Sequence, residues 1–293
     1  MLRIAYALAL LFVLLAVTAC ESAEPVNPGL LPGTHVFTAV DGLEVPYDVH
    51  GDGETTVVLV HCWMCQRSFW DNQVPVLKDT YRVITLDLGG HGDAGATRES
   101  WTIAGYGEDV AGLIEHLDLE NVVLVGHSMG GPVALKAASL RTGSVLGVVA
   151  VDTLHDAEFD YNGPEAKRMV KAFQESFAET CDQFVGYMFP EENVDEIEAE
   201  VRRVGCEESN HDVGKALMLD FGRLDLVALF KEAGVPIRAI NAAAPPNPTQ
   251  IETNRKYSDF DAVLMEDVGH YPHMTRPDEF NPLLLQAIEA ISP

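Results

Sequence analysis

Basic side chains are scarce in this chain. Nineteen lysines and arginines stand against 45 aspartates and glutamates, a formal net charge of −26 at pH 7. That balance excludes binding to nucleic acid or to an anionic membrane surface through a basic patch. It leaves a soluble, self-repelling surface. Cysteine is sparse too, with five in 293 residues. Cys62-Trp63-Met64-Cys65 has C-x-x-C spacing, but no second Cys/His pair lies near it and its surroundings are not those of a thioredoxin-like motif. No metal site and no cofactor are expected. Internal repeats and low-complexity tracts are lacking. No Lys-Ser/Thr follows Gly89-Gly90-His91-Gly92, which excludes a phosphate cradle there.

Long apolar runs are absent except for one at the start. Met1 to Cys20 carries one early positive charge at Arg3, then an apolar run, then small residues. That pattern reads as a secretory signal, to be set apart from the fold. Its end, Val17-Thr18-Ala19-Cys20, resembles the bacterial lipobox, which implies lipidation of Cys20. The expected location is outside the cytoplasm, lipid-anchored on the outer face of a bacterial membrane, periplasmic or at the cell surface. An ordinary cleaved signal and an uncleaved anchor are the alternatives. Residues 21–33, rich in proline and small polar residues, read as a tether. Four cysteines then remain, an even count suited to an oxidising compartment.

Residues 34–293 read as one domain. His35–Val40 and Leu43–His50 form a hairpin turning at Asp41-Gly42, a favoured turn pair. Val57–His61, Tyr81–Asp87, Asn121–Val125 and Ser144–Val151 are short, β-branched apolar runs, hence buried strands. Helices are predicted over Ser68–Lys78, Ile103–Leu117 and Pro132–Leu140. This alternation gives a mostly parallel sheet with helices on both faces, an α/β class. It stops at Asp152: residues 153–229 hold helical runs and no convincing strand. Pro236–Asn241 and Phe260–Glu266 restore the sheet around a predicted helix at Thr249–Tyr257, and Glu279–Ile291 closes the chain as a helix.

The sharpest motif is Gly126-His127-Ser128-Met129-Gly130, lying between a predicted strand and a predicted helix. A tight corner there needs small neighbours, and it pushes the serine oxygen out at the carboxyl end of the sheet. Ser128 is therefore the candidate nucleophile. At these residues the chain resembles the α/β-hydrolase superfamily. Val57–Trp63 resembles its strand and oxyanion loop, Thr85–Gly92 the next strand end, and Val268-Gly269-His270 the late G-H of the catalytic histidine. The order of these pieces matches, and the resemblance implies that residues 153–229 form a helical lid. Cys181 and Cys206 both fall in that insertion, where a bridge would staple it. Cys62 and Cys65 read as loop residues open to bridging.

A serine hydroxyl needs a base, and His270 is the candidate by placement. His273 is near enough to compete but lacks the G-H setting. His127 is expected to point into the strand–helix packing, and His155 to lie at the pocket edge. The acid departs from the commoner pattern, because Ala242–Pro248 holds no carboxylate. Asp152, at the end of the preceding strand, is the first choice, ahead of Asp156 and of Asp259, Asp261 or Asp267. Backbone N–H groups of Trp63 and Met129 are the expected oxyanion donors. The position before Trp63, glycine in the superfamily pattern, is Cys62; a glycine-only conformation there would impair the donor. Met64, His155, Met188 and Phe189 are the candidate substrate-binding residues, for an apolar acyl ester. The resemblance implies a serine esterase. Alternatives are a carbon–carbon bond hydrolase, with Arg67, Arg141 and Arg223 as weak hints of a carboxylate-binding group, and a non-catalytic binding lipoprotein.

Overall fold

The computed structural model describes residues 27–191, 194–243 and 248–292. The signal, Cys20 and the tether's first six residues, 21–26, lie outside these residues. Among the described residues, eight strands form one sheet: β1 (Gly33–Thr38), β2 (Glu44–His50), β3 (Thr56–Val60), β4 (Arg82–Leu86), β5 (Val122–His127), β6 (Val145–Val151), β7 (Ile237–Ala242) and β8 (Phe260–Met265). Their spatial order is β1-β2-β4-β3-β5-β6-β7-β8. The β1–β2 and β2–β4 pairs are antiparallel, and every other pair is parallel.

The two-residue period of the strands divides the core into two layers. Val58, Val60, Ile84, Leu124, Val148 and Ala150 face one helical layer, while Val57, Leu59, Val83, Val123, Val125, Val149 and Val151 face the other. The first layer contains α2 (Ile103–His116) and α3 (Gly130–Leu140), joined later by α8 (Leu226–Ala233). The second holds α1 (Val74–Leu77) and the late helix α11 (Pro277–Glu289), with Leu77, Phe280, Leu284 and Ile288 fully buried. β3 and β5 contain no exposed residue, and strands wet on neither face are nearly all apolar, with Thr56 and His127 the polar exceptions at their ends.

Local chemistry shortened two helices relative to the sequence reading. In place of Ser68–Lys78 there is a 3₁₀ turn, Arg67–Trp70, followed by α1. Pro75 lacks an N–H and its ring would clash with the carbonyl of Asp71, so one helix cannot run through. In place of Thr249–Tyr257 there is only α9 (Ile251–Asn254). The buried Asn254 side chain donates to Leu154 O at 2.8 Å and accepts from Ala157 N at 2.7 Å, so it fastens this turn to the loop after β6. The tether's end is docked rather than free: Pro28–Leu30 form a 3₁₀ turn, and Tyr47 Oη donates to Gly29 O at 3.2 Å.

Between β6 and β7 the chain is helical among the described residues: α4 (Pro164–Glu175), α5 (Phe177–Met188), α6 (Asp195–Arg202), a π turn at Arg203–Glu207, α7 (His211–Phe221) and α8 (Leu226–Ala233). A disulfide joins Cys181 on α5 to Cys206 in the π turn. The remaining helices are α10 (Pro272–Thr275) and α11 (Pro277–Glu289).

β3 is the point where the sheet changes winding direction: the chain adds β4 on one side of it, then returns to add β5 on the other. Ligands of open α/β sheets bind at the carboxyl ends of the strands at such a point. The loops holding Trp63 and Ser128 leave β3 and β5 there.

Candidate active site

Ser128 occupies a forced corner. Its φ is +51°, in the left-handed region costly for a residue with a Cβ. The glycines beside it are required by close approach. A Cβ on Gly126 would lie 2.2 Å from Gly130 O, and one on Gly130 would lie 2.4 Å from Val60 O. Thr153 Oγ1 donates to Ser128 O at 2.8 Å, and Ser128 N donates to Val151 O at 3.1 Å, which over-determine the corner. The side chain is left facing a cavity of about 490 Å³.

His270 and Asp152 reach the same cavity from the ends of two other strands. His270 Nδ1 lies 2.6 Å from Asp152 Oδ2. A carboxylate only accepts, so Nδ1 bears the proton and Nε2 keeps a lone pair. Asp152 Oδ1 accepts from Ala242 N at 2.8 Å. Burial of Asp152 pushes its carboxyl up, but the hydrogen bond and charge of His270, with His155 and Ala242 N–H, outweigh burial and hold it below the usual carboxylate range. Among the described residues, Ser128 Oγ and His270 form no hydrogen bond; the relay is closed on its acid side only. Such contacts are often long before substrate binds.

The other candidate acids are engaged elsewhere. Asp156 caps Glu158 N at 2.9 Å on the surface, Asp259 pairs with Arg238 and Asp261 with Arg255, and Asp267 takes no part in the cavity wall. Asn241, at the end of β7, uses its buried amide to accept from Thr153 N at 3.2 Å and donate to Thr153 O at 3.1 Å. It buckles the ends of β6 and β7 together and so sets the backbone beside Asp152. His155 lies behind the carboxylate, its Nε2 3.6 Å from Asp152 Oδ1, and burial lowers its basicity.

His127 does more than fill the strand–helix packing. It is fully buried, and its Nε2 donates to the backbone oxygen of His270 at 2.7 Å. Burial first, then His273 and His270, keeps it neutral. The sequence places its ring in the strand–helix packing, but nothing local shows this acceptor, which lies 143 positions away. His273 is buried away from the cavity against Trp70, with ring centroids 4.6 Å apart.

Trp63 follows the end of β3, and Met129 follows the serine. Both line the cavity, and among the described residues neither backbone N–H is taken by a protein acceptor. Cys62 has no positive φ, so the glycine-only conformation does not arise. Instead it is bridged to Cys65. Tyr271 Oη sits 3.7 Å from Cys62 Sγ and 3.8 Å from Cys65 Sγ. The Trp63 indole donates to Gly214 O at 3.1 Å, which fixes its plane against Phe173 and Phe184.

Of the residues expected to bind substrate, Met188 and His155 line the cavity; Met64 and Phe189 do not. Met64 has φ +55°, which turns its side chain back into the core beside Gly214. Phe189 is stacked flat on Tyr271, with centroids 5.0 Å apart. The sequence reading missed the actual apolar wall, made largely by Phe159, Tyr161, Met169, Phe184, Tyr187 and Phe221. No lysine or arginine lines the cavity among the described residues. Arg67 is consumed by Asp48, Asp87 and Asp93, and Arg141 by Glu115. Asp87 is thereby held in the fold, its carboxylate also accepting from Arg67 N at 2.7 Å and Asp93 N at 2.9 Å. Among the described residues no cluster of three or more His, Cys, Asp or Glu side chains is arranged to hold a metal ion.

The sequence model of the alpha/beta hydrolase family matches residues 57–283. The chain belongs to this family. It is 38% identical over 101 residues to an uncharacterized hydrolase of Bacillus subtilis, covering 34% of this chain and 37% of that protein. It is 25% identical over 263 residues to a karrikin insensitive 2 receptor of Petunia hybrida, covering 81% of this chain and 93% of the receptor. The match thus spans little more than a third of the length of the Bacillus relative and most of the receptor. Among solved structures, a thermophilic esterase from Thermogutta terrifontis superposes with a TM-score of 0.75 at 24% identity, covering 89% of this chain and all of the esterase. A bromoperoxidase from Bacillus anthracis gives 0.76 at 22%, covering 88% and 100%. These two likenesses carry the fold; the family membership supports a hydrolase.

Proposed function

We propose that this alpha/beta hydrolase cleaves carboxylic esters through an acyl-enzyme on Ser128. The observation that carries the reading is the 2.6 Å contact of His270 with Asp152 on the cavity that Ser128 also faces. His270 Nε2 takes the Ser128 proton as Oγ attacks the ester carbonyl, then returns it to the departing alcohol. Water repeats the cycle on the acyl-enzyme. Asp152 holds the tautomer and stabilises the imidazolium. The free N–H groups of Trp63 and Met129 receive the oxyanion, each such donor being worth about 3 kcal/mol of barrier.

The wall composition narrows the substrate. With aromatic and methionine side chains and no cation, the cavity favours a neutral ester with a bulky apolar group. A carbon–carbon bond hydrolase acting on a keto acid would need a cation for the carboxylate. The ordinary backbone at Cys62 removes the chief support for a non-catalytic binding protein. In this reading the helices after β6 act as a lid, and the chain is exported and lipid-anchored through Cys20. A Cys20→Ser variant that still sediments with salt-washed membranes would refute the anchor.

The activity is tested with a short p-nitrophenyl ester and a fluorophosphonate. Ser128→Ala should fold normally, lose turnover by several orders of magnitude and escape labelling. Labelling at any other residue would overturn the assignment.

A further inference from the structure

The end of α5 is fastened to the catalytic-histidine loop in three ways. Met188 O accepts from His270 N at 2.9 Å. Phe189 stacks on Tyr271 with planes 1° from parallel. Glu191 then turns its carboxylate inward: Oε1 accepts from Gly269 N and, at 3.2 Å, from Thr275 Oγ1. Its Oε2 is buried and takes no hydrogen bond among the described residues. Close approach is built in, since a Cβ on Gly269 would meet Met188 O at 2.2 Å and Glu191 Oε2 at 2.6 Å. Gly269 is glycine because this segment lies directly on it.

We propose that Glu191 is a positioning residue for His270, locking the base's loop to the helical insertion. The inference rests on the esterase reading and adds to it a residue that touches neither substrate nor reacting atoms. Turning a partly buried carboxylate inward is costly unless donors meet it, and here two donors offset that cost at Oε1. It receives two donors from the two sides of the histidine: Gly269 N immediately before it, and Thr275 Oγ1 five residues after. With His127 holding the His270 carbonyl from below, the loop is fixed at the amide before the ring, the amide of the ring residue and its carbonyl. A base displaced by about 1 Å loses about a hundredfold in rate, so small slack in this loop is expressed in turnover. The clamp also couples the insertion to the base: a motion of the Met188–Glu191 segment carries His270 with it.

The test compares Glu191→Ala with Glu191→Gln, which keeps an acceptor oxygen. Two readouts are needed: steady-state kinetics on a p-nitrophenyl ester, and amide hydrogen exchange at Gly269 and His270. Glu191→Ala should lower kcat by about ten- to a hundredfold with KM within about twofold, and speed exchange at both amides by about tenfold or more. Glu191→Gln should restore most of both. Unchanged kcat in Glu191→Ala, a loss confined to KM, or a glutamine variant no better than alanine would each overturn the proposal. Failure of the esterase reading would show separately, as no turnover and no Ser128 labelling in the natural chain, while the exchange arm would still decide whether Glu191 holds the loop.

Discussion

At the scale of single residues, the candidate acid is the most informative. Family resemblance drew attention to the end of β7, where no carboxylate stands, and to the end of β6, where Asp152 does. Its φ of +42° is strained for an aspartate, and Asn241 and Ala242 N–H hold that turn in place. Asp152→Asn should therefore leave the backbone intact, present His270 with the wrong partner group, and cost about four orders of magnitude in kcat. Asp156→Asn, on the surface, should change kcat by less than about twofold. Similar mild losses in both, read from kcat on the same ester, would place the acid elsewhere.

At the scale of elements, the strands and the serine corner were legible because their signals are local. A β-branched run, a Gly-x-Ser-x-Gly and a helix-forming run follow one another within twenty residues, and each constrains the next. The helical insertion was legible as helix but not as a surface. Which of its side chains enter the cavity depends on how α4, α5 and α7 pack together, and no periodicity states that. Met64 was misjudged because a positive φ at one loop residue reverses a side chain without leaving a compositional trace. Glu191 was missed because its partners lie 78 and 84 positions away. The Cys181–Cys206 bridge is the element-level counterpart. Closing a loop of 25 residues should contribute about 3 kcal/mol to stability. Replacing both cysteines by serine should lower the denaturation midpoint accordingly, and an unchanged midpoint would mean that the reduced insertion is already held by its packing.

At the scale of the whole molecule, buried histidines set the response to acid. Burial first lowers His61 to about 4 and both His91 and His273 to about 3, with His127 also well below its ordinary value. In the unfolded chain each titrates near about 6.5. Between these values the unfolded state binds more protons, so stability is complete above about pH 6.5 and is lost as pH falls toward 4 to 3. Each histidine contributes a slope of up to about 1.4 kcal/mol per pH unit. Asp87 and Asp109, raised by burial, act oppositely lower in the range. Chemical denaturation at pH 7.5, 6 and 5 should show a steady fall, and His273→Phe should flatten it. A flat profile would mean that these rings are protonated in the folded chain.

The bridge between Cys62 and Cys65 has a consequence in time rather than in space. Newly made chains in a reducing interior keep their thiols, and the loop presenting the Trp63 N–H then lacks its tie. Oxidation closes it. If the proposed esterase reading holds, reducing this pair should lower turnover by slackening the loop that presents the Trp63 N–H, and an unchanged rate after reduction would mean that packing alone holds that loop.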